Sequence, residues 1–127
     1  MQSHTRIALT LSLATAIGAL PVHAQNYPVK PVRLVVPNAP GGGSDTVARI
    51  AGDRLAAAMG QQFIVENRAG GGGRTAAEFV ARAAPDGYTL LLGTGATLIT
   101  ARALYSDLNY DPEKNFTPIS LLATTAY

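Results

Sequence analysis

Cysteine and tryptophan are both absent from this chain. Without cysteine there is no disulfide, no thiolate nucleophile and no thiolate metal site. Histidine is nearly absent too. His4 and His23 lie within the first two dozen residues, and from Gln25 onward there is no imidazole. That stretch therefore excludes Ser-His-Asp and Cys-His catalysis and histidine-ligated metals. Charge is thin: charged residues are 14% of the chain, and the formal net charge is +2. The arginines and lysines are scattered, with no basic run or aromatic-basic cluster, so the pI of about 9.2 gives no reason to expect nucleic acid as a partner. The carboxylates Glu66, Glu78 and Asp86 show no spacing that pairs a general acid with a base.

The chain does have apolar residues, 47% of its 127 positions, enough to form the core of one small domain. The first of them belong to a different feature. Met1–Arg6 is short and polar, Ile7–Leu20 is apolar, and Pro21-Val22-His23-Ala24 ends in a small residue. This is the order of a secretory signal peptide, and the apolar run is shorter than the ~20 residues of a spanning helix. The expected cleavage follows Ala24. It leaves residues 25–127 with nine basic and eight acidic side chains, bound for an oxidising compartment where a chain without cysteine needs no pairing.

Val32–Val36 is a β-branched run between Pro31 and Pro37 and predicts a buried strand. The loop Asn38–Gly43 follows, and Ser44 or Asp45 is placed to cap a helix. Val47, Ile50, Ala51, Leu55 and Ala58 form the predicted buried stripe of that helix, and Gly60 its C-terminal cap. A second strand is expected at Phe63–Asn67, a second helix at Thr75–Ala84, and a third strand at Tyr88–Leu92 after the turn Pro85-Asp86-Gly87. A helix or irregular segment is expected over Leu98–Leu104 and a fourth strand over Phe116–Ala123. Alternating strands and helices give an α/β fold with a parallel sheet, whose ligands bind beyond the carboxyl ends of the strands.

Two loops fall at that edge. Pro40-Gly41-Gly42-Gly43-Ser44-Asp45 joins a strand to a helix start, where unpaired N–H groups and the helix dipole make an anion site without charged side chains. The plain alternative is a tight turn capped by Ser44 and Asp45. Gly93-Thr94-Gly95-Ala96-Thr97 offers small residues, hydroxyls and amides, or is an ordinary connecting loop. Nucleotide fingerprints fail. The third glycine of a dinucleotide motif is replaced by Thr46, and Arg68 and Arg74 stand where a phosphate loop needs Gly and Lys. Arg68 suits a carboxylate, although a salt bridge or a loop-packing role explains it more simply.

Five ordered segments carry a family resemblance. They are Tyr27-Pro28 with Lys30–Pro37, the loop Pro40–Asp45, Val65-Glu66-Asn67-Arg68 with Gly70 and Gly72, Ala84–Leu91, and Tyr110-Asp111-Pro112 with Phe116, Pro118, Ile119 and Ser120. Together they resemble the Bug family, the TctC-type extracytoplasmic receptors of tripartite tricarboxylate transporters. The resemblance implies a two-lobed, flytrap-like α/β binding protein without enzymatic activity or cofactor. Residues 25–127 would form an incomplete N-terminal lobe. It implies small carboxylate ligands (di- and tricarboxylates, amino acids or aromatic acids) and membrane transporter components as partners. The family's ligand contacts map to Gly41, Gly42, Gly43, Ser44 and Asp45, and to Thr94, Gly95, Ala96 and Thr97. A Rossmann-like nucleotide enzyme fragment and an inactive truncated receptor stand as alternatives.

Overall fold

The computed structural model describes residues 26–124; the expected signal sequence, 1–24, lies outside them. Val32–Val36 forms strand β1, with Val32, Val35 and Val36 completely buried. A run without polar interruption except Arg33 suits a central parallel strand covered on both faces. Strands β2 (Phe63–Asn67) and β3 (Thr89–Leu91) pair with it in parallel, giving the order β2-β1-β3.

Helices α1 (Gly43–Met59) and α2 (Arg74–Ala81) cross between the strands. Leu34 and Val36 pack with Ala48 of α1, together with Leu92, Val65 and Leu90. Arg33, on the opposite side of β1, lies over Phe79 of α2. The two helices thus cover opposite faces of the sheet. Burying each valine of β1 contributes roughly 1.5–3 kcal/mol. After β3 the chain forms a π-helical turn, Ala96–Thr100, that runs into α3 (Ala101–Leu104).

Two expectations need correction. The buried stripe of α1 is Asp45, Ala48 and Gly52, while Ile50 and Ala58 are exposed. Small residues at 48 and 52 let the helix lie close to β2, where the Cβ position of Gly52 is 3.4 Å from the Phe63 carbonyl oxygen. Asp45 shares that face because its carboxylate is held beneath the loop. The second correction is at Phe116–Ala123, which has no strand structure. No described strand pairs with it, and without a partner its apolar residues cannot form a ladder: Ile119 and Leu121 are almost fully exposed.

Candidate functional site

The carboxyl ends of all three strands share one edge, and the loops after β1 and β3 leave it side by side, since Leu92 N–H still donates to the Val35 carbonyl (2.8 Å). The first loop is built around Asp45. Its carboxylate is buried, with one oxygen accepting the Gly41 N–H (2.9 Å) and Arg49 Nε (3.0 Å). The other accepts Asn67 Nδ2 (3.0 Å), which also donates to the Asn38 carbonyl (3.0 Å). One amide at the end of β2 therefore ties both ends of the loop. Asp45 is held well below the usual carboxylate range, at about 2, first by the Arg49 hydrogen bond and then by the Gly41 N–H.

This arrangement changes what the loop offers. Gly42 occupies the capping position with no side-chain cap; neither Ser44 nor Asp45 acts as one. Thr46 N–H bonds back to the Gly42 carbonyl (3.0 Å). Among the described residues, the N–H groups of Gly42, Gly43, Ser44 and Asp45 have no partner. They are the orphan donors of a helix start. The Gly41 N–H is already taken by Asp45, so Gly41 shapes the turn, with φ 86°.

The second loop is similar. Thr97 is completely buried. Its hydroxyl accepts the Thr94 N–H (2.9 Å) and donates to the Thr94 carbonyl (3.0 Å), so its side chain is spent on the loop itself. Gly95 and Ala96 are exposed, and their N–H groups have no partner among the described residues. The Thr94 hydroxyl, half-buried beside Thr97, faces the same turn. Tyr110, buried, donates its hydroxyl to the Thr97 carbonyl (2.7 Å) and fixes the turn from below.

Sequence reasoning missed three supporting residues: Arg49, Asn67 and Tyr110. Asn67 and Tyr110 act on loops far from them in the chain, 22 and 13 residues away, whereas Arg49 carries a local signal, an opposite charge one helical turn after Asp45. Arg68 is engaged elsewhere, donating to Glu66 (2.6 Å) and stacked on Phe79 (3.6 Å). A groove of about 380 Å³ also opens on the α2 face, but its lining charges pair with one another, Lys30 with Asp86 (3.6 Å) and Arg33 with Glu66 (3.4 Å).

A parallel α/β sheet with free helix-start amides at its carboxyl edge belongs to the class of α/β folds that take anionic ligands at that edge. Residues 47–127 match the model of the tripartite tricarboxylate transporter family receptor, TctC. A UPF0065 protein of Bordetella bronchiseptica is 43% identical over 90% of this chain and 35% of its own length. BugT of Bordetella pertussis is 39% identical over 87% of this chain and 34% of its own. Among solved structures, MatC of Rhodopseudomonas palustris with bound malate superimposes with a TM-score of 0.72 at 49% identity, covering 76% of this chain and 33% of that one. An R. palustris protein with adipate gives 0.66 at 41% identity, over 68% and 29%. The chain belongs to the TctC receptor family, of the Bug type. It spans about a third of the length of the curated relatives it matches. None of these relatives supports a nucleotide enzyme.

Proposed function

We propose that this chain supplies the carboxylate-holding edge of a periplasmic solute receptor, which binds a small carboxylate and hands it to the membrane components of a tripartite transporter. Residues 1–24 direct export and are cleaved after Ala24, and residues 25–127 form part of the first lobe. The protein binds without turnover. One ligand carboxylate sits against the N–H groups of Gly42, Gly43, Ser44 and Asp45, with the Ser44 hydroxyl as a further donor. Gly95, Ala96 and the Thr94 hydroxyl close the site from the β3 side, while the side chains of Asp45 and Thr97 hold the two loops in shape. Malate and adipate in the relatives' structures support a dicarboxylate.

One observation carries this reading. Two good capping residues stand in the first turn of α1, and neither caps it, so the helix start keeps its donors for a ligand. The test is Gly43→Pro. Proline is accepted at the first helical position, Gly42 already has the extended conformation that a following proline demands (ψ 172°), and open space surrounds Gly43. The variant keeps the helix and deletes one amide donor. In amide NMR titrations with malate and adipate, the signals of residues 42–45, 95 and 96 should move in the native chain. Gly43→Pro should weaken binding by at least about tenfold, the worth of one hydrogen bond to a charged group. Shifts confined to another surface, or undiminished affinity in a folded variant, would sink the assignment.

A further inference from the structure

A carboxylate on α1 beside an anion site presents an electrostatic conflict. Asp45 supplies one of the four free amides, yet it carries a buried negative charge of its own. We infer that Arg49 is the specificity-determining residue that keeps this edge selective for anions: without touching the ligand, it offsets the charge of Asp45 and leaves the amides and the helix dipole to set the local potential. The inference rests on the reading of the carboxyl edge as the carboxylate site.

Three observations support it. Arg49 Nε sits 3.0 Å from the Asp45 carboxylate, one helical turn on, an i,i+4 pair. The other two groups on that carboxylate, the Gly41 N–H and Asn67 Nδ2, are neutral donors, so Arg49 is the cation among its hydrogen-bond partners. Asp45 is ionised at neutral pH, so there is a full charge to offset. The Arg49 side chain is about half exposed (54%) and also feels Asp53 a further turn along α1. Its compensation is thus partly screened, and its loss changes affinity without removing the core. Asn67 has the complementary part: it fixes the shape of the loop but contributes no charge.

The test compares Arg49→Gln and Arg49→Lys with the native chain, titrated at neutral pH with adipate and with hexanoate. These acids have the same length and differ by one carboxylate. A Coulomb effect scales with ligand charge, whereas a loosened loop weakens both acids alike. Arg49→Gln should lower adipate affinity about tenfold and hexanoate affinity about threefold, a difference expected of a charge acting through partly screened surroundings. Arg49→Lys should stay within about threefold of native for both, because the charge remains. An equal loss for the two acids, or native adipate affinity in Arg49→Gln, overturns the inference while leaving the site reading intact. Failure of the native chain to bind either acid overturns both. If Arg49→Gln does not fold, Arg49→Lys decides: retained binding supports the charge role, and an equal, tenfold or greater loss for both acids refutes it.

Discussion

Three loops meet at Gly73. The residue has φ 92°, and a methyl group there would lie 2.5 Å from Thr97 Cγ2 and 3.0 Å from Pro37 Cβ. Gly73 thus seats the β2–α2 loop between the bases of the two candidate binding loops. Gly73→Ala should lower stability by about 2–4 kcal/mol, combining left-handed backbone strain with overpacking. Thermal melts followed by circular dichroism check this; a fall of roughly 4–8 °C is expected per kcal/mol in a domain of this size. An unchanged midpoint would show that the loops give way freely. At this scale the sequence was partly legible. The glycines of residues 41–43 and 93–95 mark sites where backbone is open, and their positions after strands follow from local pattern. The burial of Thr97 and the binding of Asp45 by Asn67 depend on partners elsewhere in the chain, which no local motif encodes; the Asp45–Arg49 pair, at i,i+4, was open to a local reading.

Helix α1 is oriented on the sheet by a polar residue. Asp45, Ala48 and Gly52 occupy i, i+3 and i+7, and the tie from Asp45 to Asn67 turns this face inward. A reading that counts apolar residues at helical spacing finds Ile50 and Ala58 instead, because it gives no weight to a buried carboxylate or to a glycine that permits close approach. The cap at Gly60 was legible, since its left-handed conformation (φ 70°) and its N–H bond to the Ala56 carbonyl follow from local chemistry. At Gly52 the nearest neighbours of an added methyl group, at 3.4 Å and 3.5 Å, are ordinary contacts. Gly52→Ala should therefore raise stability by about 0.5–1 kcal/mol through helix propensity, whereas Gly52→Leu should destabilise the chain by overpacking against Phe63 and Val65. Chemical denaturation of the pair reads both signs; a destabilised alanine variant would mean that α1 and β2 cannot yield even slightly. The fourth strand failed for the opposite reason. Phe116–Ala123 has strand composition, but composition supplies no neighbouring edge.

The molecule as a whole combines these elements into a sheet whose central strand sends its loop between its neighbours' ends, the place where α/β sheets take ligands. Parallel order and flanking helices were legible from alternation alone; the packing of the three loops on one another was not, because it follows from β1 lying between β2 and β3. Acid titration tests how far that assembly depends on its carboxylates. Asp45 falls from an ordinary 3.8 to about 2. Asp86 is lowered by the Tyr88 N–H and then by Lys30, and Asp111 by the Glu113 N–H and then by Lys114. In each case the unfolded chain binds protons more readily than the folded one, so stability rises with pH across the shift. The contribution is complete above the ordinary value, declines as pH falls below it, and for Asp45 is gone below about 2. On the alkaline side, burial raises Tyr27 and Tyr110 above the ordinary 10.0. The folded form of each tyrosine holds its proton longer, so stability declines once pH passes that value. Melting midpoints should form a plateau between these limits and drop on both flanks. Asp45 joins β1's loop, α1 and β2 in one cluster, and of the three carboxylates it is lowered furthest, so Asp45→Asn should flatten the acid flank more than Asp86→Asn does. An acid flank equally steep in Asp45→Asn and the native chain would place acid sensitivity elsewhere and deny Asp45 its role as the ionised centre of the loop.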